Sequence, residues 1–200
     1  MDERVLKEGV DAIRKKYRSK GFKFVEVESE ADVNEKTKEA IILVHILEGE
    51  KYKIQDVLLE GVQAFKAKRI RKLMKTKKDT WITSGVFNEE KFQKDLDRIQ
   101  LFYQQEGYLD VKVAPKFEYD QTHRKIRITV QVEEGTHYLT GEIQIKGAEL
   151  FPESEIWQNL EMLPGTTYSQ YYLANDMDRM RRYYFERGYV DARIVPDVKL

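Results

Sequence analysis

The sequence contains no cysteine, only four prolines and no excess of either charge. The absence of cysteine excludes disulfide scaffolds, thiolate zinc sites and catalytic thiols. With 35 basic and 35 acidic residues the formal net charge is zero, which argues against a nucleic-acid-binding protein driven by bulk electrostatics. No apolar run approaches the roughly 18 residues of a membrane-spanning helix. The twelve tyrosines and nine phenylalanines argue against disorder, so we expect small folded units.

An internal repeat organises the chain. A phrase of tyrosine, three variable residues, glycine and an aromatic residue occurs three times, at 17–22, 103–108 and 184–189. Its glycines stand at positions 21, 107 and 188, so the repeat spacing is 86 and then 81. Before each glycine, apolar residues recur at i, i+4, i+7 and i+11, which predicts one face of a helix with a glycine C-cap. These positions are Leu6, Val10, Ile13 and Tyr17, then Phe92, Leu96, Ile99 and Tyr103, then Leu173, Met177, Met180 and Tyr184.

Strands are predicted around these helices. One follows each glycine, with apolar pairs at 25/27, 111/113 and 192/194, and Pro115 and Pro196 are expected to end the last two. A second strand follows in the first two copies and ends in the phrase Glu-Gly-x-x-Tyr, at 48–52 and 134–138. A third strand, at 57–61 and 143–147, then leads into a short helix.

We therefore predict an α+β fold of tandem repeats, each β-α-α-β-β, with two helices on a three-stranded mixed sheet. Residues 52–138 form a complete copy. Residues 1–51 form a partial copy with the second helix and the last two strands, and residues 139–200 form a partial copy that lacks the last strand. The difference between the two repeat spacings places a short insertion in the complete copy, within Thr76–Phe87 and around Trp81 and Gly85.

The repeated phrases resemble the POTRA (polypeptide-transport-associated) repeats of BamA-type outer-membrane β-barrel assembly proteins. Tyr-x-x-x-Gly-Tyr/Phe and Glu-Gly-x-x-Tyr, followed by an alternating strand that ends in glycine, carry this resemblance over nearly the whole chain. It implies a periplasmic, non-catalytic receptor and scaffold. Its partners would be unfolded outer-membrane protein precursors and accessory assembly lipoproteins, and it would reach the outer membrane only through a barrel domain absent from this chain. It implies no catalytic residues, cofactor or metal.

An open sheet edge is the predicted binding site. The main-chain groups of an edge strand are unpaired, and an extended peptide adds there whatever its side chains. We expect strand 109–115 to be this edge and 125–132 to be its partner. The predicted client-binding residues on the edge strand and in the adjoining groove are Phe102, Tyr103, Leu109, Val111 and Val113. An apolar stripe at helical spacing equally fits a plain core role, and that alternative stays open.

Two further features allow two interpretations each. Trp81 either pins the inserted loop onto the repeat or offers an anchor to a partner. Eight basic residues between Lys66 and Lys78 form either a solvated helix face or a contact for anionic headgroups or an acidic partner.

Two other functional classes compete with the receptor. The same repeat serves two-partner secretion and organelle import transporters, although the two-repeat arrangement usual for secretion fits three visible copies poorly. An RNA-binding tandem α+β domain is suggested because residues 20–27 match the RNP1 phrase at five of seven positions. The sibling copies disfavour it, since they place Asp110 and Asp191 where a phosphate would approach. The three histidines match no metal-ligand spacing, and phosphate-loop and nucleophile-elbow motifs are absent, so an enzyme is disfavoured.

Overall fold

The computed structural model describes residues 3–34, 36–37 and 39–199. Residues 1–2 and 200, the ends of the predicted outer copies, lie outside the described residues. The element order confirms the predicted α+β fold. The elements are α1 (Glu3–Ser19), β1 (Glu26–Asn34), β2 (Glu39–Leu47), β3 (Lys53–Glu60), α2 (Ala67–Leu73), α3 (Glu89–Gln105), β4 (Lys112–Asp120), β5 (Lys125–Glu133), α4 (Glu153–Trp157) and α5 (Gln170–Phe185).

The chain divides into two compact units. One comprises Met1–Ile99 with Val113–Val132, and the other comprises Gln100–Lys112 with Glu133–Leu200. The division passes through α3, β4 and β5. The predicted copies 1–51, 52–138 and 139–200 follow the sequence repeat instead, and these boundaries stay a prediction.

The complete copy contains a three-stranded mixed sheet in the order β3-β5-β4. β3 runs parallel to β5, from Lys53 opposite Lys125 to Glu60 opposite Gln131. The central strand is therefore β5, as its regular alternation predicted, and it buries its apolar residues Ile126, Ile128, Val130 and Val132.

The strand β4 differs from its predicted bounds. It begins at Lys112 rather than at residue 109, and it continues through Pro115 to Asp120. Proline lacks an N–H, and an edge strand tolerates this where the N–H would face away from the sheet. The expectation that Pro115 ends this strand was therefore wrong.

The helix α3 supplies the core of the complete copy. Its predicted apolar face, Phe92, Leu96, Ile99 and Tyr103, is buried. The rings of Phe87, Phe92 and Phe117 contact one another with centroid separations of 5.6–5.9 Å, and they join the start of α3 to β4. The sequence periodicity thus identified the face that packs inward.

The described residues of the first copy form a two-stranded antiparallel sheet, in which Glu26 lies opposite Leu47 and Asn34 opposite Glu39. The helix α1 packs against β1. Every residue of β2 is exposed, including the apolar Ile41, Leu43 and Leu47. Among the described residues no strand lies on the free side of β2, where the complete copy has its parallel strand β3.

The last copy lacks the two strands predicted at 143–147 and 192–194. Residues 141–147 and 192–199 belong to no strand, whereas their counterparts in the complete copy lie in or next to β3 and β4. Both predicted strands would flank a central strand equivalent to β5. Because that strand has no counterpart among the described residues, their main-chain groups have no ladder to join.

A buried aspartate, which was not among the predicted residues, closes the loop after each short helix. Asp95 accepts hydrogen bonds from the backbone N–H groups of Lys75 (2.8 Å) and Thr76 (2.7 Å). Asp176, at the matching position of the last copy, accepts them from Glu161 (2.8 Å) and Met162 (2.9 Å). The arginine at the third position after each aspartate pairs with it. The recurring Asp-x-x-Arg spacing is the signal that would have revealed this.

Candidate functional site

The edge strand β4 is the candidate peptide-binding element. Among the described strands, none pairs with β4 on the side away from β5. The opposite edge of the sheet is partly occupied, because the N–H of Ile54 donates to the carbonyl of Gly85 (2.7 Å) and the N–H of Phe87 donates to that of Tyr52 (2.8 Å). The inserted segment thus covers the start of β3, and β4 keeps the unpaired edge.

Only part of the β4 edge is clear of side-chain neighbours. Near its end, the ammonium of Lys23 lies 5.1 Å from the ring centroid of Phe117, and the rings of Phe24 and Tyr119 are 5.3 Å apart. From residue 112 to 116 every residue is exposed except Val113, which is half-buried. The first half of β4 is therefore the accessible stretch.

The predicted groove residues separate into two groups. Tyr103 and Val111 are buried, so their side chains form core. Phe102, Leu109 and Val113 are half-buried and keep part of their surface exposed. A client-binding role for these three stays a prediction, and Tyr103 and Val111 belong to the core.

A hydrogen bond explains why the two repeated phrases occur together. The hydroxyl of Tyr103 donates to the carboxylate of Glu134 at 2.8 Å, and the hydroxyl of Tyr17 donates to that of Glu48 at 2.9 Å. Burial, followed by the bond to Glu134, raises the pKa of the Tyr103 phenol. The bond to Glu48 does the same for the pKa of Tyr17. The tyrosine at the helix end and the glutamate of Glu-Gly therefore form one repeated contact.

The Trp81 loop, residues 77–85, projects its apolar tip into solvent. Trp81 is 95% exposed and the neighbouring Ile82 is 73% exposed. Trp81 therefore does not pin the loop, which removes one of its two predicted roles. Ile82 was not predicted as part of this tip, although a second apolar residue beside a tryptophan in a polar insertion was a visible signal.

Asp79 holds this loop. Its carboxylate accepts hydrogen bonds from the N–H of Gly85 (3.1 Å) and from the ammonium of Lys53 (3.1 Å), and its own N–H donates to the carbonyl of Ile54 (2.8 Å). The hydrogen bond from Gly85 and that from Lys53 lower the pKa of Asp79. The hydroxyls of Thr80 and Thr83 are hydrogen-bonded to each other across the tip, with their oxygens 2.6 Å apart. The exposed tryptophan thus sits on a tethered turn.

The basic run is wholly on the surface. The eight basic residues between Lys66 and Lys78 are exposed, while Ile70, Met74 and Thr76 are buried beneath them. The guanidinium of Arg69 lies 5.2 Å from the ring centroid of Phe65. This exposure fits a solvated helix face, and a contact with an anionic partner stays a prediction.

Two features of other protein classes are missing from the part of the chain that the structure describes. None of the helices there has the length and apolar character that crossing a membrane requires. Among the same described residues, no three His, Asp or Glu side chains are grouped as metal ligands.

Known proteins match this chain in sequence and in structure. The family model POTRA, described as surface antigen variable number repeat, matches residues 52–135 and 138–200. The outer membrane protein assembly factor BamA of Neisseria meningitidis is 30% identical over 159 residues, which are 76% of this chain and 20% of that protein. BamA of Buchnera aphidicola is 27% identical over 165 residues, which are 80% of this chain and 27% of that protein.

A solved structure shows the same fold. The crystal structure of Haemophilus influenzae BamA POTRA3-5 superposes with a TM-score of 0.60 at 16% identity, covering 90% of this chain and 70% of that one. Because the family model covers most of the chain, in two consecutive matches, and the repeat architecture agrees, the chain belongs to the POTRA family.

Proposed function

We propose that this chain is a non-catalytic receptor and scaffold in the assembly of outer-membrane β-barrel proteins, and that it works in the periplasm. It binds unfolded outer-membrane protein precursors by β-augmentation and docks accessory assembly lipoproteins. The family and the names of the BamA relatives support this role. The chain spans only about a fifth to a quarter of the length of those relatives, so the activity of the whole protein belongs to the proposal.

The unpaired edge of β4 is the observation that carries the proposal. Neighbouring residues of a strand point their N–H and C=O groups to opposite edges, so residues two apart share one edge. Pro115 has no N–H to give, which places residues 113 and 115 on the edge away from β5. An arriving strand would find the N–H of Val113 there, beside the exposed residues of the first half of β4.

Substituting Val113 tests this binding mode. Val113→Pro removes an outward donor and leaves the ladder to β5, while Val113→Ala trims the same side chain and keeps the donor. A short extended peptide with alternating apolar residues and a photoreactive phenylalanine should crosslink to the parent chain and to Val113→Ala. It should lose crosslinking with Val113→Pro while circular dichroism and melting stay near those of the parent. Unchanged crosslinking with a folded Val113→Pro variant would contradict edge addition.

The Trp81 loop is proposed as the docking point for an accessory lipoprotein. Buried tryptophans commonly dominate binding energy at interfaces, and this one is presented on a turn that Asp79 already holds, so little ordering cost remains. Trp81→Ala should weaken the binding of the purified partner lipoprotein by at least about tenfold, because truncating such anchors costs about 2 kcal/mol or more. Leu101→Ala, at another exposed apolar residue, is the matched control and should leave binding unchanged.

A further inference from the structure

The surface of α2 and of the segment that follows it concentrates positive charge. Its eight basic residues, which we call the basic face, are Lys66, Lys68, Arg69, Arg71, Lys72, Lys75, Lys77 and Lys78. No acidic residue occurs between Lys66 and Lys78. Because the whole chain has no net charge, the remaining residues carry an excess of eight negative charges. The positive charge is therefore local to one surface.

The helix α2 presents its share of these side chains on its outer half. Ile70 is fully buried, whereas Lys68, Arg71 and Lys72 are exposed. Residues two places before, one place after and two places after a buried helical position point away from the side that it packs on. The charges of α2 thus lie opposite the contact between the helix and the core.

The segment after α2 continues the same surface. Met74 and Thr76 are buried, while Lys75 and Lys77 are exposed, so buried and outward side chains alternate along an extended chain. The carboxylate of Asp95 accepts hydrogen bonds from the N–H groups of Lys75 and Thr76. These bonds hold the backbone in place, and the lysines project from a fixed support.

Most of these charges have no counter-charge within the protein. Among the residues that the structure describes, no carboxylate forms an ion pair with Lys66, Lys68, Arg71, Lys72, Lys75, Lys77 or Lys78. Exposed arginines of α5 do have such partners, because Arg179 lies 2.7 Å from Glu161 and Arg181 lies 2.6 Å from Asp178. A group of positive charges without nearby carboxylates produces a field that attracts an anionic partner.

The last copy shows that the fold of this region does not require the positive charge. At the repeat spacing of 86, residues 66–76 correspond to 152–162. That segment also contains a short helix, buries Ile156 at the position of Ile70, and is held by Asp176. It has no basic residue and contains glutamates at positions 153, 155 and 161. The basic face therefore has a role other than forming the helix and its loop.

The composition of the basic face favours a lipid surface over a protein partner. Six of its eight residues are lysines, which are depleted at protein–protein interfaces but act as point charges toward anionic headgroups. Between residues 61 and 80 no large apolar side chain is exposed, so the anchor that usually dominates binding to a protein is missing there. The same lack leaves no exposed aromatic ring on which a nucleic-acid base could stack.

We propose that the basic face binds the surface of a membrane that contains anionic phospholipids. Each exposed lysine or arginine near such a surface adds to the attraction, and clusters of this size are typical of segments that bind anionic lipids. The contact is made with headgroups and buries no apolar side chain, so Trp81 stays available to a protein. The proposal goes beyond the proposed function, since neither a client nor a lipoprotein takes part in this contact.

Co-flotation of the full chain with lipid vesicles tests the proposal. The chain should float with vesicles of phosphatidylcholine and phosphatidylglycerol and should stay behind with vesicles of phosphatidylcholine alone. Raising the salt from about 0.05 M to about 0.5 M should release it, because the screening length falls several-fold. Equal binding to the two kinds of vesicle, or no binding to either, overturns the proposal.

A matched pair of double variants assigns the contact to the basic face. Lys68→Gln with Arg71→Gln should weaken binding to the anionic vesicles by at least about tenfold, because two of the charges are lost. Lys116→Gln with Arg127→Gln makes the same charge change at exposed residues of the sheet and should leave binding within about twofold. Circular dichroism and melting should match the parent for both. Equal losses in the two variants would show that net charge alone governs binding, and the basic face would have no special role.

Two further comparisons test the nature of the contact. Trp81→Ala should bind the anionic vesicles within about twofold of the parent, and a loss as large as that of Lys68→Gln with Arg71→Gln overturns a contact made by charges alone. A single-stranded oligonucleotide, supplied at the phosphate concentration of the vesicles, should compete only weakly. Tighter binding of the oligonucleotide through the same residues would assign the basic face to nucleic acid instead of lipid.

The Val113→Pro variant separates this inference from the proposed function. It alters only the edge of β4, so it should bind anionic vesicles as the parent chain does. If the parent chain crosslinks peptide at β4 but does not bind vesicles, the lipid contact fails and the receptor function stands. If vesicles bind while crosslinking fails, the edge model fails alone.

Discussion

In the complete copy, the carboxylate of Asp95 accepts hydrogen bonds from two backbone N–H groups of the loop after α2. In the last copy, the carboxylate of Asp176 accepts hydrogen bonds from two backbone N–H groups of the loop after α4. The four distances all lie between 2.7 Å and 2.9 Å. The sheets of these two copies do not agree at all, because three strands are formed in one and the flanking segments of the other belong to none.

The difference shows which part of the repeat forms without the central strand. Each aspartate and the loop that it closes are both present in each of these copies, so both copies form this contact. The sheet depends on a central strand that follows the second helix, and the strands beside it cannot pair with each other across its place.

The largest difference in stability is expected on the apolar face of the second helix, which is more deeply buried in the complete copy than in the last one. Leu96→Ala in the complete copy should lower the free energy of unfolding by about 2–5 kcal/mol, because it leaves a cavity in a closed core. Met177→Ala at the matched position should cost less than about 1 kcal/mol, since that side chain is only half-buried and leaves no closed cavity. Urea unfolding of both variants measures the loss in the free energy of unfolding, and hydrogen exchange assigns each loss to its copy. Equal losses would contradict the comparison.

The two aspartates should behave alike. Asp95→Ala and Asp176→Ala each leave two loop N–H groups without an acceptor, at about 1–3 kcal/mol for each variant. The loss should appear in hydrogen exchange at residues 75–76 in the first variant and at 161–162 in the second. A marked difference between the two would show that this loop too depends on the sheet.

Removing the hydroxyl of the repeated tyrosine should also change the free energy of unfolding by different amounts in the two copies, and this difference should be smaller. Tyr103→Phe removes a hydrogen bond to Glu134 and should cost about 1 kcal/mol. Tyr184→Phe should cost less, because among the described residues no carboxylate accepts a hydrogen bond from the Tyr184 hydroxyl. Thermal melting under identical conditions compares them, and a larger effect at Tyr184 would count against the repeated contact.

The smallest effect concerns the Trp81 loop, which the last copy lacks. Hydrogen bonds hold the pKa of Asp79 below its ordinary value. Their contribution is complete above the unfolded pKa, about 4, and is lost as the pH falls toward the lower folded value. The amide resonance of Gly85 should shift over this acidic range and stay constant in Asp79→Asn. A Gly85 shift that persists in Asp79→Asn would assign the titration to another group.

Much of this molecule followed from the spacing of residues along the chain. The period of the glycine phrase predicts the copies, whose boundaries stay a prediction. The i, i+4, i+7, i+11 pattern identified α3 and its buried face, because helical hydrogen bonds and side-chain stripes are local. The alternation of Ile126, Ile128, Val130 and Val132 likewise marked the central strand.

Tertiary structure decided the rest. Only the fold shows that Tyr103 and Val111 are core while β4 stays open, and that Asp79 rather than Trp81 holds the inserted loop. A strand is stable only when another strand supplies its hydrogen bonds, and that partner can be distant in sequence, as β5 is from β3. Residue pattern alone therefore predicts where strands are able to form, and packing determines which of them do.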